Sequence, residues 1–481
     1  MIEGQAGRRG LWIFPENRLM MAAPAGIGGL GSERFGGRFM SCKSLAWFVF
    51  SFSLLLIASG ASALQLETVL YAFRNPVSGA NPVSSLVADA KGNLYGTTTS
   101  GGNIRGSGYC SMGCGTVFEL SPPVPPSTKW TETVLHNFAG EPKDGCNPQS
   151  GPIFDSAGNL YGTTRACGSG FNTGTVYELS PPQADGTWTE TVVFNFPSDG
   201  SYEGGQPAGG LVIDAKGNLY GVTTYGAPSG VNGVIYQLAP PAAKGGTWTQ
   251  AILYSFQQNA YLPFSGLVAD NKGNLYGTTE YGGTGSCDND TGTGCGTVYR
   301  LSRPEKRGGS WVFDILYSFV NHGDGQGYYP VASLAIDSKG ALYGTTEIGI
   351  KCTGNVFQLV PPSRSHRDWT ENILYAFGKQ PDGANPGAGV VLDNAGRVYG
   401  TTQEGGAHCI DGGCGTVFEL TPPSRTGGAW KKKLYSFDGK DGSFPTANLV
   451  ILGGKIYGTT LYGGGNPNRG TDNGLVFAIK W

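Results

Sequence analysis

Short apolar and β-branched segments recur along most of the chain, separated by Gly, Pro, Asn and Asp. The segments have the two-residue alternation of β-strands, and the residues between them are typical of tight turns. Tyr-Gly-Thr-Thr or its variant Tyr-Gly-Val-Thr occurs seven times, with starts 56 to 67 residues apart. The copies begin at Tyr95, Tyr161, Tyr220, Tyr276, Tyr343, Tyr399 and Tyr457. A period of this length predicts one four-stranded β-propeller blade per copy.

Four strand-like segments fill each period, and we name their positions A to D. Position A is seen at 266–270, B at 274–279, C at 115–120 and D at 130–138. Asp-x-Lys-Gly-Asn often connects A to B. We interpret this link as a hairpin with an Asx-turn, because one carboxylate per copy is too few for a calcium loop. A Trp recurs at the start of position D and is expected to serve packing.

The phase of the repeat predicts a closed ring. Segment 67–73 has the pattern of a D strand with no A, B or C before it, and 474–481 has that of a C strand with no D after it. If these two segments pair, seven full blades result and no sheet edge stays open. The sequence therefore predicts an all-β fold, a single seven-bladed β-propeller closed by strand 67–73 joining the last blade.

The beginning of the chain has the pattern of a secretory signal. Lys43 provides a positive charge, the run 45–57 is apolar, and Ala-Ser-Ala precedes Leu64. The run is short for a membrane-spanning helix, so we expect cleavage after Ala63; an uncleaved anchor is the alternative. We interpret Met40 as the true start.

This interpretation divides the chain into an N-terminal extension with signal peptide, 1–63, and a propeller, 64–481. We expect a secreted or periplasmic bacterial protein with no membrane segment after signal cleavage.

Composition supports strands and excludes one class of partner. The 481 residues include 81 Gly and 29 Pro, yet 11% are aromatic, which is too many for a disordered chain. The net charge is −2, and residues 1–63 hold more basic than acidic residues. The mature part is therefore more acidic still, and we expect no nucleic-acid partner, because such proteins present a basic stripe.

Cysteines cluster in the predicted B–C loops. Outside the cytoplasm disulfides are expected, and zinc is the less favoured alternative because His partners and paired CxxC spacing are lacking. Cys146 and Cys167 lie in loops on the same face and could form a fourth pair, while Cys352 is left over. The three local pairs predicted are Cys110–Cys114, Cys287–Cys295 and Cys409–Cys414.

The B–C and D–A loops vary in length and residue type, whereas the A–B and C–D loops are uniform. In a propeller the two variable sets emerge on one face, and binding usually occurs on variable loops of a uniform scaffold. Asp-Gly recurs in the D–A loops, where a turn is the favoured interpretation and a place at the channel mouth the alternative. The ligand-binding candidates are Asp144, Asp199, Asp324, Asp382, Asp441, Arg165, Tyr225, Tyr281 and Tyr329.

Two carboxylates suggest a catalytic alternative. Glu280 and Glu347 directly follow Tyr-Gly-Thr-Thr, which we call the marker motif, in neighbouring blades. There they could act as acid and base on a glycosidic bond. Solvated loop residues are the favoured interpretation. No nucleophile elbow, His-Glu-x-x-His helix or phosphate loop occurs in a credible context, and we expect no metal or cofactor.

The repeat core Leu-Tyr-Gly-Thr-Thr, followed by Gly-Gly and Gly-Thr-Val-Phe-Glu-Leu, resembles the GloVer-type (choice-of-anchor) tandem-repeat family of exported bacterial proteins. The resemblance covers 64–481 and implies export and a propeller-like array, but no activity or catalytic residue. The sequence favours a monomeric, non-catalytic binding or scaffold propeller that recognises carbohydrate or another cell-surface polymer through the variable loops. The alternative is a polysaccharide-active hydrolase or lyase with an acidic site at the channel mouth.

Overall fold

A computed structural model describes most of the chain from Glu67 to Trp481. The predicted signal segment, Asp199, Asp324 and Cys352 lie outside the described residues. Among those described, no helix is long and apolar enough to span a membrane. The described residues are 67–74, 76–103, 108–142, 144–170, 172–182, 186–198, 204–226, 232–243, 245–285, 287, 294–306, 308–320, 327–349, 353–364, 366–378, 380–409, 412–425, 427–465 and 472–481.

Seven four-stranded antiparallel sheets form the blades of a β-propeller, as predicted. The first strand, β1 (Glu67–Ala72), belongs to the last blade. Blade 1 has β2 (Val87–Ala88), β3 (Leu94–Thr98), β4 (Thr116–Ser121) and β5 (Thr131–Asn137), with a 3-10 helix (Gly108–Cys110) in its B–C loop. The D–A loop that leads into blade 2 contains β6 (Gly145–Cys146), and the B–C loop of blade 2 contains β9 (Ala166–Cys167). Blade 2 itself has β7 (Ile153–Phe154), β8 (Leu160–Thr164), β10 (Thr175–Ser180) and β11 (Thr189–Asn195).

The next blades repeat this order. Blade 3 has β12 (Gly205–Ile213), β13 (Leu219–Tyr225), β14 (Val234–Ala239) and β15 (Thr249–Ser255). Blade 4 has β17 (Val268–Ala269), β18 (Leu275–Thr279), β20 (Thr297–Ser302) and β21 (Val312–Ser318), with loop strands β16 (Ala260–Tyr261) and β19 (Tyr281–Gly282). Blade 5 has β22 (Ala335–Ile336), β23 (Leu342–Thr346), β24 (Asn355–Val360) and β25 (Thr370–Ala376).

The last two blades complete the ring. Blade 6 has β27 (Val391–Leu392), β28 (Val398–Thr402), β30 (Thr416–Thr421) and β31 (Lys431–Ser436), with loop strands β26 (Gly383–Ala384) and β29 (Glu404–Gly405). Blade 7 has β32 (Val450–Leu452), β33 (Lys455–Thr460) and β34 (Leu475–Ile479).

Strand β1 closes the ring. It pairs antiparallel with β34, with Glu67 opposite Ile479 and Ala72 opposite Leu475. Beyond the strand, the Phe73 amide donates to the Gly474 carbonyl at 2.9 Å. The outer strand of blade 7 therefore comes from the N-terminal side of the repeat array, which confirms the closure predicted from the phase.

The marker glycine makes room for a buried ring. In blade 5, a Cβ on Gly344 would lie 2.6 Å from Cζ of Phe357, which is fully buried on the neighbouring C strand. The same close approach occurs in the other blades, with Phe or Tyr as the ring. Glycine is required at the motif because the ring packs directly against the backbone of the B strand.

The two marker threonines join strands and blades. The first donates to the next blade in several copies, as from Thr97 Oγ1 to the Ser150 carbonyl at 3.2 Å. Thr459 makes the corresponding bond across the closure, to the Ser84 carbonyl at 3.2 Å. The second pairs with a C-strand threonine, as in Thr98 with Thr116 at 2.8 Å. The motif is thus largely explained by blade construction.

The loops of the uniform face are also structural. Asp89 Oδ1 accepts the amides of Lys91 and Asn93 at 2.9 Å, which is an Asx-turn. The recurrent tryptophans pack edge-to-face on the marker tyrosine of the preceding blade, as Trp130 does on Tyr457 with ring centroids 6.4 Å apart.

The A strands are shorter than the five-residue segments expected. Most contain two or three residues, although β12 has nine. The start of several A segments contacts the adjacent blade through backbone: a Cβ on Gly151 would lie 2.0 Å from the Ser85 carbonyl oxygen. Small residues are required at these contacts.

Candidate binding site at the mouth of the central channel

The A segments of the seven blades converge on a central channel of about 400 Å³. Its wall is built largely from small side chains and backbone, including Ser85, Gly209, Gly266 and Ser333. A wall of this kind offers carbonyl, amide and hydroxyl groups but little charge. The chemistry available to a ligand therefore lies at the mouth.

A ring of residues with positive φ surrounds the mouth on the variable face. Each immediately precedes the proline that begins an A segment, and φ lies between 52° and 60°. Asparagine adopts this conformation readily, whereas bulky residues do so at a cost. The seven residues are Asn81, Asn147, Gln206, Leu262, Tyr329, Asn385 and Phe444.

A second ring lies against the first. The residue after the marker motif donates its amide to the carbonyl of the positive-φ residue, as from Glu280 to Leu262 at 3.2 Å and from Glu347 to Tyr329 at 3.1 Å. Arg165 donates likewise to Asn147 at 3.2 Å. The structure thus places these three predicted residues at equivalent backbone positions around one mouth. The positions bonded in this way are Thr99, Arg165, Glu280, Glu347, Gln403 and Leu461.

Side chains of the second ring reach the channel. Arg165 Nη1 donates to Gln149 Oε1 at 3.1 Å, and Arg165 Nε donates to Gln206 Oε1 at 3.3 Å. Gln149 lines the channel. Gln403 Nε2 would lie 2.1 Å from a Cβ on Gly387, another channel residue. The mouth therefore carries amide and guanidinium groups on blades 2 and 6.

Four tyrosines form a cluster between blades 4 and 5. Tyr261 and Tyr281 are opposite each other on β16 and β19, with rings stacked at 5.5 Å and 19°. Tyr281 meets Tyr329 edge-to-face at 5.3 Å, and Tyr329 meets Tyr328 at 4.9 Å. Tyr329 is 3% exposed and is the buried member that contacts Tyr281 and Tyr328. Tyr261, Tyr281 and Tyr328 are half-buried.

Sequence reasoning identified Tyr281 and Tyr329 but missed Tyr261 and the positive-φ ring. A signal was present in the residue before each A-segment proline. Asn occupies this position in three copies, whereas the bulky residues Leu262, Tyr329 and Phe444 occupy it in three others. A bulky residue held in this conformation is a recognised mark of a functional site.

The remaining aromatic candidates lie at the position equivalent to Tyr281. Tyr225 ends β13, opposite Gly205, and is half-buried. Tyr462 on blade 7 is 39% exposed and packs edge-to-face on Phe444 at 5.9 Å. Gly205 and Ser443 face these two tyrosines at the position that Tyr261 occupies opposite Tyr281.

The described Asp-Gly aspartates lie between blades, away from the residues that line the channel. Asp144 Oδ1 accepts the Gly145 amide at 2.6 Å, and its Oδ2 accepts the Ala139 amide and His136 Nε2, both at 2.9 Å. These bonds fit the turn interpretation, because both carboxylate oxygens are used by the protein's own loop and D strand.

Asp382 and Asp441 have the same arrangement. Asp382 accepts the Tyr375 hydroxyl at 2.8 Å and the Gly383 amide at 2.9 Å, and it pairs with Lys432 of the next blade. Asp441 accepts the Tyr435 hydroxyl. A ligand-binding role for these aspartates stays a prediction, and a ligand would have to replace these bonds.

One inter-blade cluster has metal-ligand chemistry. Single ligand atoms of His136, Asp144 and Glu190 lie within 4.8 Å of one another. Burial raises the pKa of Glu190 to about 7, with a contribution from Asp144, while His136 opposes the shift. The corresponding contact between blades 4 and 5 is a hydrogen bond from Tyr317 to Glu371 at 2.8 Å, so a polar contact at this place is part of the repeat.

Four disulfides fasten the loops of the variable face. They are the three local pairs expected and the fourth pair between β6 and β9. Two of them pack around Gly140, whose Cβ would lie 2.9 Å from Cys110 Sγ and 3.8 Å from Cys167 Sγ. Disulfides at this density suggest a non-cytosolic location.

The fold and the ring of loop residues define a seven-bladed β-propeller with a polar channel mouth. The Gloeobacter/Verrucomicrobia repeat matches the chain at 58–292, 106–357 and 285–480, and the chain belongs to this family. No curated protein matches significantly.

Two solved structures are similar to this chain at low identity. A puromycin hydrolase mutant complexed with PGG is 12% identical with a TM-score of 0.43, covering 81% of this chain and 52% of the hydrolase, so the chain spans about half its length. The PQQ-bound aldose sugar dehydrogenase of Streptomyces coelicolor is 15% identical with a TM-score of 0.38, covering 68% of this chain and 93% of the dehydrogenase.

Proposed function

We propose that this propeller is an exported, non-catalytic binding protein that recognises carbohydrate at the channel mouth on the variable face. The observation that carries the proposal is the cluster of Tyr261, Tyr281, Tyr328 and Tyr329 between blades 4 and 5. Binding sites of this kind combine apolar aromatic surface with a few fixed polar groups.

The tyrosines provide the apolar part. The stack of Tyr281 on Tyr261 presents ring surface on half-buried residues, and Tyr329 beneath it holds Tyr281 in place. Tyrosine suits a sugar because its ring contacts the C–H face while its hydroxyl stays polar. The rigid placement lowers the ordering entropy that binding would otherwise cost.

The mouth ring provides the polar part. Glu280 and Glu347 occupy the ring positions of the same two blades, and Arg165 and Gln403 occupy corresponding positions on blades 2 and 6. Carboxylate, amide and guanidinium groups are suited to hydrogen bonding with vicinal hydroxyls. The mixture of charges favours a hydroxyl-rich ligand over a strongly charged one.

Export is the second part of the proposal. The pattern in 40–63 supports a cleaved signal, and the four disulfides support folding outside the cytoplasm. N-terminal sequencing of the protein recovered from outside the cytoplasm tests it. We expect Leu64 as the first residue, and a chain that keeps residues 1–63 would contradict cleavage.

Binding is tested on a panel of immobilised polysaccharides with residues 64–481 at about 0.5 M NaCl, where exposed charge attraction is screened. We expect binding to at least one neutral polysaccharide. Loss of stacking should weaken it by about 1 to 2 kcal/mol, or about five- to thirtyfold, in Tyr281→Ala. Tyr462→Ala is the matched control, because Tyr462 has the equivalent position on blade 7.

Three results would contradict the proposal. Absence of binding to the whole panel would remove the carbohydrate assignment. Equal loss in Tyr281→Ala and Tyr462→Ala would remove the site between blades 4 and 5. Release of new reducing ends by the wild type but not by Glu280→Gln or Glu347→Gln would replace the non-catalytic role by the hydrolase alternative.

A further inference from the structure

A second groove lies on the opposite, uniform face, between blades 3 and 4. It has a volume of about 970 Å³, in the range of small-ligand sites. The A–B loops contribute Lys216 and Lys272, and the C–D loop of blade 4 contributes Arg303 and Lys306. Together with Arg300 on β20, these residues define what we call the basic groove.

The cations of the basic groove are mostly unpaired. Arg300 Nη2 forms an ion pair with Asp314 Oδ2 at 2.8 Å. In the described part of the chain, no carboxylate lies within ion-pair distance of Lys216, Lys272, Arg303 or Lys306. One carboxylate, that of Glu305, also lines the groove, but the four cations outnumber it and repel one another, which the fold alone does not explain.

Lys216 and Lys272 are lysines of the repeated A–B loop, whereas Arg300 and Arg303 are charges that the blade does not need. Six of the seven residues opposite the marker tyrosine are Glu, Gln or Ala, and only blade 4 has a cation, Arg300. Five other C–D links have a proline where Arg303 stands. Arg300 and Arg303 thus both depart from the repeat, and both lie on the same groove. Two such departures at neighbouring positions point to binding.

Arg303 is held in position over the groove. Its amide donates to Asn274 Oδ1 at 3.0 Å, and its side chain lies over Gly273, where a Cβ would be 2.9 Å from Nη1. Tyr220 and Trp311, whose rings are 6.1 Å apart, line the same groove as Arg303.

The groove also has neutral polar and aromatic surface. Gln237 and Ser302 line it, and no side-chain hydrogen bond to another described residue occupies either. Trp311 adds half-buried ring surface. Cations, amide and hydroxyl groups and an aromatic ring together fit a ligand that bears carboxylates, hydroxyls and sugar faces. A nucleic acid fits poorly, since the basic residues occupy one inter-blade groove and the chain as a whole is negative.

We propose that the basic groove binds an acidic polysaccharide, with uronate carboxylates paired to Lys216, Lys272, Arg303 and Lys306. This site is separate from the channel mouth and does not depend on the function proposed for it. A polymer could then be held on the uniform face while the variable face stays free.

Polygalacturonate is a suitable probe, and its fully methyl-esterified form has the same backbone without the charge. Binding of residues 64–481 is measured by biolayer interferometry at about 0.05 M and about 0.5 M NaCl, where screening differs strongly. We expect binding to the acid form alone, weakened by salt. Arg303→Ala with Lys306→Ala should weaken it about tenfold, as expected for two partly exposed ion pairs.

Matched variants separate the groove from general charge effects. Lys339→Ala removes the lysine of the same A–B loop in blade 5 and should leave binding within about twofold, as should Tyr281→Ala. Unchanged melting of the double variant shows that it is folded. Equal binding of the esterified polymer, or no effect of the double variant, would overturn the proposal. A single-stranded oligonucleotide that binds equally well and is lost in the same variant would also overturn it.

Discussion

The marker glycine offers the sharpest test of how the blades are built. In Gly344→Ala, the new methyl would lie 2.6 Å from Phe357 Cζ and 2.9 Å from Leu334 Cδ2. Optimal carbon contacts are about 3.5 to 4.0 Å, so the overlap is about 1 Å. Phe357 and Leu334 are buried and cannot swing into solvent. The φ of Gly344 lies outside the left-handed region, so steric overlap alone determines the effect.

Overpacking of this size costs about 1 to 3 kcal/mol of unfolding free energy. Equilibrium unfolding in urea measures it for Gly344→Ala, Phe357→Leu and the double variant. Because the smaller side chain gives the methyl space, we expect the double variant to be more stable than the sum of the single effects.

Gly340→Ala is the control. Gly340 lies in the A–B turn of the same blade with φ +82° and no atom within 4 Å of its Cβ. Its substitution should cost about 1 kcal/mol through backbone strain, with no relief from Phe357→Leu. A cost below about 0.5 kcal/mol for Gly344→Ala, or full additivity with Phe357→Leu, would refute the role assigned to the glycine.

Two further predictions concern buried polar groups. The hydroxyl of Tyr236 is buried without a hydrogen-bond partner, and four blades have Phe at this position. Tyr236→Phe should therefore be neutral or stabilising by about 1 kcal/mol in urea unfolding. Tyr220→Phe is the control and should destabilise, because it loses a hydrogen bond to Asp214. Burial raises the pKa of Glu67 to about 8, and Asp441 adds to the shift. Because this folded pKa exceeds the unfolded value of about 4.3, the melting temperature should fall as pH rises from about 5 to about 8. Glu67→Gln should reduce the slope of melting temperature against pH. An unchanged slope in this variant would contradict the role given to Glu67.

The propeller architecture could be predicted because the sequence pattern of one blade recurs in seven copies. Segment 67–73 could be recognised as a D strand from the pattern it shares with 130–138, and β1 does complete blade 7. The close backbone contact between neighbouring blades, as at Gly151 and Ser85, could not be predicted, since it joins residues far apart in sequence. A local sequence pattern does not contain that contact.

The candidate site was only partly predictable. Glu280 and Arg165 follow the marker motif, so their place on the ring could be inferred from register. Asp144 could not be placed, because its position depends on which donors its carboxylate finds in three dimensions. The basic groove was not predicted, because binding was expected on the variable loops and the groove lies on the uniform face. Arg300 and Arg303 nevertheless depart visibly from the repeat.

Ligand binding at the channel mouth between blades 4 and 5 is tested most directly by hydrogen–deuterium exchange. The ligand is an oligosaccharide of the polymer that binds most tightly in the panel. We expect slower exchange at 260–263, 279–283 and 327–330, with the equivalent loops of blade 7, 442–444 and 460–464, unchanged. Protection of blade 7 instead, or no protection at the tyrosine cluster under saturating ligand, would contradict it.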